Sequence, residues 1–150
     1  MNPDFRDILS AFAAEDVEFM VVGAYALAAH GLPRATGDID LWVGTAGENP
    51  GRVRKALVRF GAPVDALAED DLRRPDLVFE IGVSPQRIDL LTSIDGVNFA
   101  DAWPRRLQAD LGGLRLPVIS RDDLVRNKRA CGRPQDLADL VRLEESKGDR

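Results

Sequence analysis

The amino-acid sequence predicts an α/β domain of α+β character, in which helices flank a mixed β-sheet and further helices close the C-terminal end. Segments with apolar residues at helical spacing alternate with short apolar, β-branched runs, which indicates helices and strands in turn. Two of these runs are separated only by a turn, so we expect a hairpin within the sheet. No repeat or linker interrupts the 150 residues, which favours one domain spanning residues 1–150.

The first third of the chain predicts a helix, a strand and a second helix. Asn2 followed by Pro3 is typical of a helix start, and apolar residues then recur at helical spacing. Residues 17–23 are apolar and β-branched, as in a buried strand. Residues 24–30 have high helix propensity, and Gly31 is suited to end that helix.

The middle of the chain predicts a strand, a helix, a loop and a hairpin. Residues 38–43 form the next strand, and residues 49–60 form a helix that a glycine ends. Residues 62–76 are rich in charged residues and proline, which predicts a loop with at most one helical turn. Residues 77–83 and 86–94 are two strand-like runs joined by a Ser-Pro turn, which predicts the hairpin.

The last third of the chain predicts a short helix, one strand and two helices. The short helix covers residues 98–107, and residues 114–120 form a strand at an edge of the sheet, because Pro117 cannot donate a ladder hydrogen bond. Ser120 begins a capping-box pattern that opens the next helix, and Pro134 begins the last one. The apolar residues of that last helix expected to turn inward are Leu137, Leu140, Val141 and Leu143.

Composition excludes several classes of protein. The formal net charge is −5, which argues against a protein that coats nucleic acid with its whole surface. The first ten residues carry acids and lack a long apolar segment, so we expect no signal peptide, and no run is long enough to span a membrane. Cys131 is the only cysteine, which fits a reducing compartment. We therefore expect a cytoplasmic protein with no membrane partner.

Two aspartates at the start of one predicted strand are the first candidate functional residues. Side chains alternate along a strand, so Asp38 and Asp40 point to one face. In the later strand, Arg87 and Asp89 share a face in the same way. If the two strands are neighbours, three carboxylates converge and repel each other. The alternative is that these acids lie on the solvated face of a half-buried strand.

Either a raised pKa of one carboxyl group or a bound cation would relieve this repulsion. Sites built only from carboxylate oxygens suit Mg²⁺, and paired metal ions stabilise both the attacking and the leaving oxygen of a phosphoryl transfer. Gly23 ends a buried strand and is followed directly by a helix, a turn at which a phosphate can approach the backbone. We expect Asp38→Asn or Asp40→Asn to abolish the phosphoryl-transfer reaction and to leave the stability of the folded protein unchanged or slightly raised.

Three segments together resemble one superfamily. "VVGAYALAAHGLPRATGDIDLWV" and the later "RIDLLTSI" are similar to the nucleotidyltransferase superfamily that contains DNA polymerase beta and the minimal nucleotidyltransferases. The "HGLPRATGDID" portion and the ending "NKRACGRPQDLADLVRLEE" are closest to its abortive-infection, type IV toxin-like branch. The resemblance covers about residues 17 to 145 and implies the nucleotidyltransferase fold.

The resemblance implies a role for each matching residue of the strand–turn–strand region. Gly23 matches the glycine of the phosphate-binding turn, and Ala24 stands where the superfamily has a second glycine or a serine. Asp38 and Asp40 match the paired metal ligands. Asp89 matches the third acid, a metal ligand that helps to activate the attacking hydroxyl.

Further residues are implied to contact the nucleotide or are assigned on chemistry alone. Arg34 and Thr36 match the R-x-T before the acids, where an arginine can pair with phosphate; a loop-to-core contact is the alternative. Lys128, in a basic cluster, is implied to bind phosphate, although a charge run is more often solvated. His30 is expected to be a structural hydrogen-bonding residue, and Trp42 a core residue that shares a face with the acids.

The predicted function is metal-dependent transfer of a nucleoside monophosphate from an NTP to an acceptor hydroxyl, with Mg²⁺ or Mn²⁺ as cofactor. The resemblance implies RNA, such as tRNA, or a protein as acceptor, and a cognate toxin or antitoxin partner. A non-catalytic nucleotide-binding or antitoxin-like module of the same fold is the alternative that Ala24 favours. An aspartate-nucleophile phosphatase is disfavoured, because "RATG" rather than an apolar strand precedes Asp38.

Overall fold

The computed structural model of the chain describes residues 1–32 and 37–148. Within these ranges one mixed six-stranded sheet carries the helices, which confirms the predicted fold class. The strands are β1 (Phe19–Val22), β2 (Ile39–Val43), β3 (Val78–Ile81), β4 (Ile88–Leu91), β5 (Leu107–Leu111) and β6 (Leu114–Val118). The α-helices are α1 (Pro3–Ala14), α2 (Gly23–Ala29), α3 (Asn49–Phe60), α4 (Phe99–Ala102), α5 (Arg121–Cys131) and α6 (Pro134–Gly148).

The strand order is β3-β4-β2-β1-β6-β5. β2 pairs antiparallel with β1 and parallel with β4, so it is central in the sheet and hydrogen-bonded on both sides. β3 and β4 form the predicted antiparallel hairpin. The sheet therefore brings together the ends of β1, β2 and β4, the three strands that carry the glycine turn and the predicted acids.

Three features of the last third of the chain differ from the prediction. β5 was not predicted, although the five residues of "LQADL" alternate between apolar and polar, because so short an alternation is a weak signal and most of these residues are exposed. The short helix expected over residues 98–107 is confined to α4 and the 3₁₀ turn Trp103–Arg105. β6 is not an edge strand, since it lies between β1 and β5. Pro117 is tolerated there because β6 pairs with β1 only at Val21↔Val118, one residue beyond the proline.

The core lies where α1 and α3 pack together and where the apolar sides of the central strands meet the helices. α1 begins as predicted, with the Asn2 side chain accepting a hydrogen bond from the backbone N–H of Asp4 at 2.7 Å. Its apolar residues are buried, and Gly61 ends α3 in the left-handed conformation. No helix in the described ranges is both long enough and apolar enough to cross a membrane.

The inward face of α6 differs from the prediction. Leu140 and Leu143 are buried as expected, but Leu137 and Val141 are 50% and 55% exposed. Two acids of α6 turn inward instead, because both form ion pairs with the buried ammonium group of Lys128 on α5. Charge pairing between α5 and α6 therefore sets the orientation of the last helix.

Candidate active site

Asp40 and Asp89 are directly opposite each other in the register of β2 and β4. Because the two strands are parallel neighbours, paired residues point to the same face of the sheet, and Asp38 lies on that face by alternation. On its other side, β4 pairs with β3, and in that register Asp89 is opposite Glu80. A row of three acids thus crosses three adjacent strands, which the sequence alone predicted only in part.

The Gly23 turn lies against this row. Val22, the last residue of β1, pairs with Asp40, so the turn that follows is beside the Asp40 carboxylate. Gly23 has a φ of +68°, and a Cβ at this position would lie 2.2 Å from Oδ2 of Asp40. Glycine is therefore required twice, for its backbone conformation and for the space that the Asp40 carboxylate occupies.

Asp38 is held as a carboxylate by two hydrogen bonds. The backbone N–H of Arg87 donates to Oδ1 at 2.9 Å, and the Ser84 hydroxyl donates to Oδ2 at 2.8 Å. These hydrogen bonds, the one from Arg87 first, lower the pKa of Asp38 below its ordinary value. Asp38 is thus attached to the β3–β4 turn, which fixes the start of β2 beside the start of β4.

Arg87 joins the acids by its guanidinium group. Nε donates to Oδ1 of Asp89 at 2.6 Å and Nη2 donates to Oδ2 at 3.0 Å, which is a bidentate pair. Nη1 lies 3.3 Å from the Glu80 carboxylate, and Nη2 lies 3.8 Å from Oδ2 of Asp38. Sequence reasoning did not assign Arg87 to the site, although strand alternation already put it on the face of Asp89.

Asp40 is the acid with the most unfavourable environment for charge. Burial, followed by the negative charges of Asp89 and Asp38 and a hydrogen bond with Asp89, raises the pKa of Asp40 to about 6. The positive charge of Arg87 only partly offsets these effects, because its hydrogen bonds are directed to Asp89. The site therefore keeps an excess of negative charge near neutral pH.

The chemistry of these donors fits a divalent cation. Asp38, Asp40 and Asp89 offer only carboxylate oxygens, the ligands that Mg²⁺ and Mn²⁺ prefer. The raised pKa of Asp40 also reflects a shortage of positive charge that such an ion would relieve. In the part of the chain that the structure describes, no three acidic, imidazole or thiol side chains are arranged as a ready-made metal site. The assignment of the three aspartates as metal ligands therefore stays a prediction.

Lys128 lines the same cleft but is not a solvated charge. Its ammonium group lies 3.2 Å from Asp136 and 3.1 Å from Asp139, and all three side chains are buried. Arg133 also lines the cleft, and its Nε lies 2.7 Å from Oδ2 of Asp136. Gly23, Asp40, Lys128, Arg133 and Asp136 are among the residues that line this cleft of about 530 Å³.

The remaining predicted residues divide into three groups. Ala24 is in the first turn of α2, directly after Gly23. Arg34 and Thr36 lie outside the described residues. His30 is buried with Nε2 2.9 Å from the carbonyl oxygen of Ile119, and Trp42 is buried against the edge of Phe99, so both serve the core as expected.

The family model described as "Nucleotidyltransferase of unknown function (DUF6036)" matches residues 5–145 of the chain. No curated protein sequence gives a significant match.

Three solved structures share the fold. TM1012 from Thermotoga maritima, assigned as a nucleotidyltransferase, is 16% identical, with a TM-score of 0.57 over 97% of this chain and 91% of that one. ANT(2″)-Ia in complex with adenylyl-2″-tobramycin is 17% identical, with a TM-score of 0.59 over 93% and 84%. The lincomycin-bound lincosamide antibiotic adenylyltransferase LnuA is 15% identical, with a TM-score of 0.59 over 96% of each chain.

Proposed function

The chain belongs to the DUF6036 family of nucleotidyltransferases, and from this membership we propose that it transfers a nucleoside monophosphate from an NTP to an acceptor hydroxyl in a metal-dependent reaction. The observation that carries the proposal is the position of Asp40. It is paired with Asp89 on one side and closely approached by the Gly23 turn on the other. We propose that residues 1–150 act as one domain in this reaction.

Asp38, Asp40 and Asp89 would hold the divalent cation, Mg²⁺ or Mn²⁺. When bound, this ion supplies positive charge that stabilises the triphosphate and the charge that develops in the transition state. Asp38 is suited to this role because its hydrogen bonds with Ser84 and Arg87 keep it ionised and fixed in position. Asp40 and Asp89 contribute the excess negative charge that attracts a cation.

Asp89 would also accept the proton of the acceptor hydroxyl. The acceptor oxygen then forms a bond to the α-phosphorus of the NTP, and the bond from that phosphorus to the pyrophosphate oxygen breaks, so pyrophosphate leaves. Asp40, the register partner of Asp89, lines the cleft, so Asp89 lies on the strand next to that part of the cleft wall. The carboxylate of Asp89 has to be released from Arg87 before it can accept a proton.

The phosphates of the NTP are proposed to lie between the Gly23–Ala24 turn and the basic wall of the cleft. Lys128 and Arg133 line that wall, and both share Asp136 as a partner. Lys128 is nearly enclosed by its acids, so Arg133 is the more accessible of the two cations. Arg34 and Thr36 are proposed to complete the phosphate site, as the resemblance implies.

The acceptor is proposed to be RNA, such as tRNA, or a protein, acting with a cognate toxin or antitoxin in the cytoplasm, as the toxin-like resemblance implies. The two adenylyltransferases that share the fold are described with tobramycin and lincomycin, so a small hydroxylated molecule is a further candidate acceptor. The low net negative charge gives no preference for a polyanion.

A non-catalytic nucleotide-binding or antitoxin-like module is the second candidate function. Two observations favour it: Ala24 replaces the expected glycine or serine, and Arg87 occupies both carboxylate oxygens of Asp89. Such a module would bind an NTP in the cleft without releasing pyrophosphate.

Incubation with each α-labelled NTP, Mg²⁺ or Mn²⁺, and either total tRNA or a cell lysate tests the proposal and identifies the acceptor class. We expect label to move to one class of acceptor in a reaction that EDTA abolishes. Binding of NTP without transfer of label under every condition would instead support the non-catalytic module.

A further inference from the structure

Arg87 contacts two of the three proposed metal ligands, Asp38 and Asp89. Its guanidinium lies within 4 Å of three carboxylates on three different stretches of chain, namely Asp38, Glu80 and Asp89. Its contact with Asp89 is bidentate, and the carboxylate of Asp89 is nearly buried. A positive group is thus already present where the proposed function requires a divalent cation.

We propose that Arg87 is an internal counter-ion that competes with the divalent cation for Asp38 and Asp89, and so sets the metal concentration at which the site fills. The inference rests on the proposed function only in taking these aspartates as metal ligands. It adds a residue that determines metal affinity and that neither the family match nor the motif resemblance assigns.

Charge and geometry together make the two cations mutually exclusive at Asp89. A guanidinium that bridges both oxygens of a carboxylate leaves a metal ion no approach to that carboxylate except alongside another positive group. Like charges at that separation repel, most strongly where burial removes water from between them. Filling of the site by metal therefore requires Arg87 to leave Asp89.

The structure also provides a second position for the displaced guanidinium. Glu80 lies opposite Asp89 in the β3–β4 register, and its carboxylate is 55% exposed and already 3.3 Å from Nη1 of Arg87. The Arg87 side chain is itself 31% exposed. Rotation of the side chain towards Glu80 would free Asp89, retain one ion pair and leave the backbone of β4 unchanged.

The alternative role is structural, in which Arg87 orients Asp89 for the metal. The two roles predict opposite results when the charge of Arg87 is removed. If Arg87 competes with the metal, its loss tightens metal binding. If Arg87 only orients Asp89, its loss weakens metal binding.

The Kd for Mn²⁺ of the full chain without nucleotide distinguishes these two roles of Arg87, and electron paramagnetic resonance or calorimetry measures it. We expect Arg87→Gln to lower the Kd for Mn²⁺ by about tenfold, the effect of removing one charge close to a divalent ion in a site partly open to water. Arg87→Lys keeps the charge but not the bidentate geometry, so its Kd for Mn²⁺ should lie between those of the wild type and Arg87→Gln. Arg115→Gln on β6 is the matched control, because it removes the same charge from an exposed position where its ion-pair partner is Asp110, and its Kd should equal that of the wild type.

Side-chain NMR of the wild type gives a second measurement that does not depend on a variant that folds. The Nε–H of Arg87 is held by Asp89 at 2.6 Å, so Mg²⁺ should shift its signal and speed its exchange with water. An unchanged or higher Kd in Arg87→Gln, or an Arg87 signal that Mg²⁺ at saturating concentration does not alter, would overturn the proposal. Failure of the labelled-NTP assay alongside tighter Mn²⁺ binding in Arg87→Gln would contradict the proposed function and leave this inference standing.

Discussion

Asp40 lies opposite Asp89 in the parallel pairing of β2 with β4, and burial, followed by the negative charge of Asp89, raises the pKa of Asp40 to about 6. The register places these two carboxyl groups on the same face of adjacent strands, where each disfavours the ionisation of the other. Asp38, two residues earlier on the same face, has the opposite environment, because hydrogen bonds from Arg87 and Ser84 lower its pKa. The two aspartates of one motif should therefore respond differently to the same substitution.

Asp40→Asn should stabilise the metal-free protein at pH 7. The substitution removes a charge that burial and Asp89 disfavour, and the shift of pKa from 3.8 to about 6 corresponds to a gain of about 1–3 kcal/mol in the free energy of unfolding. Asp38→Asn should instead lower stability, because two hydrogen bonds lose their anionic acceptor. Urea unfolding in EDTA measures both, and a loss of stability in Asp40→Asn would contradict the environment described for Asp40. The sequence alone predicted no loss for either substitution.

The free energy of unfolding should depend on pH because the folded state binds a proton on Asp40. Between the unfolded pKa of 3.8 and the folded pKa of about 6, the native state binds a proton on Asp40 that the unfolded state releases. The contribution of Asp40 to stability is therefore greatest below pH 3.8 and is lost as the pH rises through 6. Urea unfolding of the wild type and of Asp40→Asn at pH 4, 5, 6 and 7 should give a difference that grows with pH. A constant difference would argue against a protonated Asp40.

Gly23→Ala should destabilise the protein more than Gly31→Ala. Both glycines have positive φ, but a Cβ at Gly31 meets nothing within 4 Å, whereas a Cβ at Gly23 overlaps the Asp40 carboxylate. Backbone strain alone should cost about 1 kcal/mol at Gly31. The overlap adds about 1–3 kcal/mol at Gly23. Thermal and urea unfolding of both variants would separate strain from overlap, and equal losses would show that the contact with Asp40 is unimportant.

Lys128→Met should destabilise the protein by about 3 kcal/mol, because it leaves the buried carboxylates of Asp136 and Asp139 without their shared cation. Adding Asp139→Asn should recover part of that loss, since it removes one of the two buried negative charges that Lys128 pairs with. Urea unfolding of the single and double variants measures this coupling. If Lys128→Met were as stable as the wild type while binding NTP less tightly, Lys128 would be mainly a phosphate ligand.

Strand alternation predicted the central part of the site. The repeat of Asp38 and Asp40 along one strand, and of Arg87 and Asp89 along another, placed the acids on single faces, and the register of β2 and β4 confirms that the two faces adjoin. Alternation also placed Arg87 on the correct face of the sheet, beside Asp89. Its bidentate contact was not predicted, because alternation gives the face of a side chain but not the partner that it selects.

The role of Lys128 was harder to predict for a different reason. Three other cations surround it in the sequence, and a charge run of this kind is usually solvated. Its burial depends on two acids of α6 that turn inward, which requires the packing of α5 against α6. β5 was missed because the apolar–polar alternation of its five residues is short, and Leu107 at its start is exposed in the structure.

The most direct test of nucleotidyl transfer is to count pyrophosphate released per acceptor labelled, in the wild type, Asp40→Asn and Asp89→Asn, with circular dichroism on the same samples. The wild type should release one pyrophosphate for each α-phosphate transferred, and label placed on the γ-phosphate should never reach the acceptor. Both variants should stay folded and lose at least about 100-fold in rate, as expected when groups that stabilise transition-state charge are removed. Transfer of the γ-phosphate, or a folded Asp40→Asn with wild-type activity, would contradict the proposed function.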